Sequence, residues 1–541
     1  MNRSLLEIRN LSIALPEGAD RPLAVDRVSL RLERGCTLCV VGESGSGKSL
    51  AAAAIVGLLP SPLLRVAGGE ILFEGRDTLQ MGTGELQAIR GGRIGYVFQD
   101  PLSSLNPLER IGGQVLEVLE RHAWSGDRRQ RVLSLLQDVG LPAPDTLVEK
   151  YPWQLSGGQR QRVMIAMALA ADPALIIADE PTTALDVTTQ AQILALLRDL
   201  QTKRGVGLLL ITHDFGVVAE MAHQVAVLKD GSVVEQGPCA EILARPREDY
   251  TQRLLRAVPQ LVPRAPRPPG SRLLDARSLV KAWPADGSWW RRQKDTLALN
   301  DVSITVGAGE TVAIVGESGS GKSTLARVLT RLTPCDAGQA RLEGLDENYL
   351  ALAPNELGQL RCAVQMVFQD PYASLNPRHT VGHSITMGPI ANGVPRQQAL
   401  EEARALLARV KVDPKAAERY PNEFSGGQRQ RIVIARALAM RPRLLIADEA
   451  VSALDVSVQA EILELLEEIQ AREGIGMIFI THDLRVASRM ADRIVVMKKG
   501  QVVEAGDAQH VLKTPANPYT QELLDAIPRM ISIEPNASAW R

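Results

Sequence analysis

The sequence predicts an α/β protein of two tandem domains, each layered around a mainly parallel sheet. Three observations carry this. A set of motifs recurs in the same order at a long offset, short apolar runs end in glycine or a carboxylate, and helical patterns separate those runs. Wholly apolar runs suit strands covered on both faces, and strands alternating with helices argue for parallel pairing.

The repeat comes first. VVGESGSGKSL (residues 40–50) returns as IVGESGSGKST (314–324), and VFQDPLSSLNP (97–107) returns as VFQDPYASLNP (367–377). LSGGQRQRV, LIIADEPTTALDV and LLITHDF return as FSGGQRQRI, LLIADEAVSALDV and IFITHDL. An offset of roughly 270 residues is far beyond any solenoid period, so a whole domain has been duplicated and fused. The expected division is a first domain over residues 1–257, a linker over 258–274, a second domain over 275–530 and an extension over 531–541. The linker, VPQLVPRAPRPPGSRLL, is rich in proline and arginine and reads as an extended, semi-rigid tether.

Within each half, CTLCVVG and ETVAIVG, ALIIAD and RLLIAD, and GLLLIT and GMIFIT read as central strands. TTQAQILALLRDLQTKR and VSVQAEILELLEEIQARE read as helices. Residues 112–151 and 382–420 read as wholly helical insertions.

Composition narrows the class. At 45% hydrophobic and 23% charged residues the chain is globular rather than disordered. A net charge of -1 leaves no basic field to hold nucleic acid, and no nucleic-acid partner is expected. No signal peptide is expected at the start, and the most apolar stretch (49–64) follows a lysine and contains two prolines. It is shorter than the roughly 20 residues that a membrane span requires. Of five cysteines, Cys36 and Cys39 form a C-x-x-C inside an apolar run, which reads as two small core residues rather than a redox or metal site.

The chemistry starts with G-x-x-x-x-G-K-[ST], at residues 42–49 and 316–323, each directly after a strand and before a helix. Such a loop turns its amides inward as a nest for phosphate oxygens, at the positive end of the following helix. The candidate phosphate-binding residues are Gly42, Glu43, Ser44, Gly45, Ser46, Gly47, Lys48, Ser49 and Leu50. In the second half they are Gly316, Glu317, Ser318, Gly319, Ser320, Gly321, Lys322, Ser323 and Thr324. Lys48 and Lys322 would reach the β- and γ-phosphates, and the Ser49 and Ser323 hydroxyls would ligate Mg²⁺. Asp179-Glu180 and Asp448-Glu449 end apolar strands. Strand alternation would aim each aspartate at the metal and each glutamate at the attacking water, which makes Glu180 and Glu449 the general-base candidates. Gln99 and Gln369 supply neutral amides able to touch Mg²⁺ or water. His213 and His482, just past a strand, are placed to hydrogen-bond a γ-phosphate.

Ser156, Gly157, Gly158 and Gln159, with their counterparts Ser425, Gly426, Gly427 and Gln428, resemble the ABC signature motif. Ala184-Leu185-Asp186 and Ala453-Leu454-Asp455 resemble its D-loop. The resemblance to ABC ATPases covers nearly the whole chain. It implies two P-loop NTPase domains, each with a mainly parallel core, an antiparallel β region and a helical subdomain. It also implies ATP and Mg²⁺ bound in a head-to-tail sandwich, each nucleotide between one half's P-loop and the other half's signature. Both halves keep the glutamate and histidine, and Ala450 stands where the first half has Pro181. Members of the family stack the adenine on an upstream aromatic residue. The second half offers Trp283, ahead of Trp289 and Trp290. The first half has no aromatic residue before Phe73, leaving Leu15 or an arginine as substitute.

The tails EDYTQRLLRAVPQL and NPYTQELLDAIPRM resemble those of the oligopeptide, dipeptide and nickel importer ATPases. Among these, the chain is most similar to the fused microcin C-type peptide and glutathione importer ATPases. The implied partners are two permeases and, through them, an extracytoplasmic binding protein. The implied location is peripheral, on the cytoplasmic face of the bacterial inner membrane. Some members carry an iron–sulfur cluster near the first tail; Cys239 stands alone there, so none is expected. The alternatives are a fused monosaccharide-importer ATPase, which lacks such tails, and a soluble tandem-ABC translation factor, which carries a long charged helical linker.

Overall fold

The computed structural model describes residues 4–528 except 20, 184, 266, 268, 269, 285–295, 346, 347 and 453. Ala184, Ala453, Trp289, Trp290 and the extension 531–541 therefore lie outside the described residues.

Each half folds around a six-stranded sheet. In the first half the order is Ser232–Pro238, Gln224–Lys229, Thr37–Val41, Gly207–Ile211, Leu175–Asp179, Ile94–Val97. All neighbours pair in parallel except the first two, which form an antiparallel hairpin. The second half repeats this arrangement with Thr311–Val315 at the position of Thr37–Val41. All five residues of Thr37–Val41, Leu175–Asp179 and Gly207–Ile211 are buried, so the apolar runs are central strands covered on both faces. Each fully buried Val, Leu or Ile there contributes about 1.5–3 kcal/mol. Cys39 lies inside this core.

A second, antiparallel sheet lies beside each core. Leu23–Glu33 and Arg65–Phe73 flank Ser4–Ala14 in the first half; Thr296–Gly307 and Ala337–Leu342 flank Arg272–Trp283 in the second. Arg272–Trp283 takes up the last three residues of the stretch read as tether. That stretch lies against the second half, where the Arg264 amide donates to the Ser488 carbonyl at 3.1 Å and Arg267 Nη1 donates to Gln470 Oε1 at 3.2 Å.

The inserted regions contain only helices and turns. In the first half they run Ile111–Arg121, Arg128–Asp138 and Pro144–Leu147 before the helix Gly157–Leu169. The long helices fall where the 3.6-residue pattern puts them, at Val187–Arg204 and Val456–Glu473, each ended by a glycine at positive φ.

The halves meet along a pseudo-two-fold interface. Val456 joins the core of the first half, and Val187 joins a core cluster of the second.

Candidate functional site

Glycine is required at two points of each phosphate loop. Gly42 has φ 151 and Gly47 has φ 95, and a Cβ would stand 2.2 Å from the Leu228 carbonyl oxygen or 2.7 Å from that of Ala24. Gly316 and Gly321 are held alike, with clashes at 2.2 and 2.3 Å. The loop therefore closes tightly onto a neighbouring strand. The buried Lys48 ammonium caps it, donating to the Gly42 and Glu43 carbonyls at 2.8 and 2.9 Å. Lys322 does the same to Gly316 and Glu317, at 2.7 and 2.8 Å. Burial pushes both ammonium groups below their ordinary pKa.

The hydroxyl that opens each helix meets the strand-end aspartate. Ser49 Oγ donates to Asp179 Oδ1 at 3.0 Å, and Ser323 Oγ to Asp448 Oδ1 at 3.1 Å. Burial raises the pKa of both aspartates from its ordinary value. The halves differ here, because Tyr96 OH also donates to Asp179, at 3.4 Å, whereas Met366 occupies the equivalent strand position.

Glu180 and Glu449 diverge from their aspartates by a route other than strand alternation. Each lies one residue past its strand with φ 47, a left-handed conformation that is strained for a residue with a side chain. Backbone bonds from the glutamate amides to Ile211 and Ile480, at 2.9 and 3.0 Å, hold the turn. The Glu180 carboxylate accepts from Gln99 Nε2 at 2.8 Å and Thr183 Oγ1 at 2.9 Å, and stands 3.2 Å from His213 Nδ1. Burial pushes its pKa up, but the His213 bond and charge, Thr183 and Lys48 outweigh that and hold it at about 2. Glu449 accepts from Gln369 at 2.8 Å, but His482 Nδ1 is 3.6 Å away, beyond hydrogen-bond length. Its carboxyl is also held low: burial raises it, and the neighbouring His482 and Lys322 lower it by more. Gln99 and Gln369 thus donate through Nε2 to the glutamates, and the atom of each amide suited to Mg²⁺ is the other one, the oxygen.

Ser156 and Ser425 cap the helices Gly157–Leu169 and Gly426–Leu438 through reciprocal bonds with Gln159 and Gln428. Gly158 and Gly427 press on the next long helix, where a Cβ would meet Thr189 at 2.5 Å or Val458 at 2.4 Å.

The P-loop of each half faces the other half. Ser44 Oγ donates to Asp455 Oδ1 at 3.1 Å, and Ser318 N to Asp186 Oδ2 at 3.4 Å. Thr188 Oγ1 donates to Glu317 Oε1 at 2.9 Å, and Ser457 is bonded to Glu43.

Trp283 ends its strand exposed, with Lys281 Nζ 5.4 Å from the ring centroid. The residue at its place in the first half is Leu15, just past Ala14. There Arg21 donates to the carbonyl of Gly45 on the P-loop itself. Nothing in the local pattern marks Arg21 out. The tail tyrosines were missed as site residues. Tyr250 OH accepts from the Glu43 amide at 3.2 Å and Tyr519 OH from the Glu317 amide at 3.1 Å, so each tail supports its own P-loop. Glu235 and Glu504 anchor the tails by accepting the amides of Arg247 and Ala516, both at 2.8 Å. The recurrence of Y-T-Q in both tails was the available signal.

Among the described residues, no helix is long and apolar enough to cross a membrane. The family model described as ABC transporter matches residues 25–183 and again 299–452. The oligopeptide/dipeptide transporter C-terminal region matches residues 234–280 and 503–536. The chain is 44% identical to the peptidoglycan transport ATP-binding protein YejF of Agrobacterium fabrum, over 98% of each chain. It is 43% identical to the glutathione import ATP-binding protein GsiA of Salmonella paratyphi A and 42% identical to that of Escherichia coli K12. Both alignments cover 97% of this chain and 90% of the relative.

Proposed function

This chain belongs to the ABC transporter family, and from that premise we propose that it drives uptake of peptides or peptide-like compounds by hydrolysing ATP at two composite sites. It is an ATPase of the importer kind, with two ATP-binding domains and two peptide-transporter tails. We read the domains as residues 1–257 and 275–530, with a linker over 258–274 and an extension over 531–541. The observation that carries the composite-site reading is the reciprocal contact between each P-loop and the other half's Asp186 or Asp455. It supports a head-to-tail arrangement of the halves, which a nucleotide shared between P-loop and opposite signature requires.

In this reading the Lys48 and Lys322 ammonium groups exchange backbone carbonyls for β- and γ-phosphate oxygens. The signature serines and the amides at their helix N-termini cap the γ-phosphate from the other half. Glu180 and Glu449, ionised at neutral pH, polarise the attacking water; His213 orients Glu180, and both histidines hydrogen-bond the γ-phosphate. The paired hydroxyl and carboxylate oxygens at Ser49–Asp179 and Ser323–Asp448 are hard donors of the kind Mg²⁺ takes, and these residues would hold it. Mg²⁺ bound there would neutralise charge on the phosphates.

The chain sits on the cytoplasmic face of the bacterial inner membrane, held there by two permease partners that receive cargo from an extracytoplasmic binding protein. Membrane vesicles carrying the chain and the permeases encoded beside it test this. ATP-dependent uptake of labelled short peptides is expected, and Glu180→Gln with Glu449→Gln should abolish it. Uptake of monosaccharides but not peptides would overturn the cargo class, and uptake that survives the double substitution would overturn the mechanism.

A further inference from the structure

The aspartates that follow the two histidines, Asp214 and Asp483, face each other across the interface of the halves. Each caps its own short helix, accepting the amide of Gly216 at 2.7 Å or of Arg485 at 2.8 Å. Two largely buried carboxylates so placed would repel one another across the pseudo-two-fold.

Arg485 prevents that. Its Nε donates to both Asp483 oxygens, at 3.1 and 3.2 Å, and Nη2 donates to Asp483 Oδ2 at 3.0 Å. Across the interface, Nη1 and Nη2 donate to Asp214 Oδ1 and Oδ2 at 3.3 and 3.0 Å. The guanidinium is 13% exposed and the two carboxylates 19% and 20%. A planar guanidinium can grip two carboxylates at once, which an ammonium point charge cannot.

The bridge is built from one side only. The equivalent position in the first half is Gly216, where a Cβ would stand 3.1 Å from Arg485 Nη1. A second arginine there would crowd the first and add a like charge. The two halves differ at this pair of positions, and one arginine serves both. One interface cleft is lined by His213, Asp214, His482, Asp483 and Arg485 together.

We propose that Arg485 is a positioning residue that ties the two histidine loops into one unit, so that a shift of His213 at one site is felt by His482 at the other. The inference rests on the two-site ATPase reading above. It predicts reciprocal coupling between the sites, not merely adhesion of the halves.

The full chain is assayed for ATP hydrolysis as wild type, Arg485→Leu, Asp214→Asn and the double variant. Asparagine keeps the helix cap and removes only the charge. Each single variant should lower turnover at saturating ATP about ten-fold while half-saturation stays within about two-fold, and the double should be no worse than the lower single. Arg485→Lys should fall between wild type and Arg485→Leu. If Arg485→Leu does not fold, Asp214→Asn carries the same kinetic test. Wild-type turnover in a folded single variant, or losses that multiply in the double, would overturn the coupling role. A wild-type chain that binds ATP without ever turning it over would instead overturn the ATPase reading beneath it.

Discussion

The hydroxyl of Ser44, in the first P-loop, donates to Oδ1 of Asp455, in the second half, at 3.1 Å. The two residues are 411 positions apart in the chain. The matching contact runs the other way, from the Ser318 amide to Asp186 at 3.4 Å. Each phosphate loop is thus hydrogen-bonded to the half to which it does not belong.

That exchange fixes a coupling pattern. Lys48→Ala and Ser425→Arg should damage the same site, so combining them costs little beyond either alone. Lys48→Ala with Ser156→Arg should damage both sites and abolish closed-state nucleotide trapping. Coupling of Lys48 to Ser156 instead would mean that each half closes on itself.

Replacing Glu180 and Glu449 together with glutamine keeps the phosphate loops and removes both bases. ATP binding should persist within about two-fold while turnover falls at least about 100-fold. Steady-state hydrolysis beside equilibrium nucleotide binding checks both halves of the statement. Near-normal turnover would remove the general-base role from these glutamates.

The tail tyrosines should tune nucleotide affinity from outside the loop. Tyr250→Phe deletes the acceptor for the Glu43 amide, a bond whose net worth is about 0.5–1.5 kcal/mol. The Lys48 site should then bind ATP about 2- to 10-fold more weakly, with the tail still folded. Titration in a Lys322→Ala background isolates that site, and unchanged affinity would leave the tyrosine a packing role alone.

The two adenine sites should differ. Aromatic stacking on a base is worth about 1–3 kcal/mol, so Trp283→Ala should weaken the Lys322 site while leaving the Lys48 site untouched. Arg21→Ala should weaken the Lys48 site, where the guanidinium rests on the P-loop. Equal affinities of the two isolated sites in the unsubstituted chain would rule out this asymmetry.

The Glu180–His213 pair sets a pH dependence of stability. A carboxyl depressed from 4.5 to about 2 contributes stability above its ordinary pKa and loses it as pH falls through about 2. For His213, burial lowers the pKa, but Glu180, Asp214 and Asp455 together raise it by more, so the net shift is upward. Its contribution is full below the ordinary 6.5 and is lost as pH rises through the raised value. His213→Gln should therefore lower the melting midpoint more at about pH 6 than at about pH 9. Equal loss at both would show that the imidazolium is not what holds the pair.

Much of this protein is written locally. The central strands, the glycine-punctuated phosphate loops, the Ser–x–x–Gln caps of Ser156 and Ser425 and the long helix Val187–Arg204 follow from periodicity and turn chemistry acting over a few residues. Duplication made each of them visible twice. The rest arises between residues that no local rule relates. Glu180 turns away from Asp179 because a left-handed turn is held by a neighbouring strand, whereas alternation in its own strand would have predicted a different path. Tyr250 reaches the Glu43 amide across 207 positions, and Arg485 reaches Asp214 across 271. Such contacts depend on how helices and sheets pack and on how the two halves dock. The candidate chemical residues were therefore legible in the sequence, while the long-range contacts that hold them emerged only once the chain had folded and its halves had met.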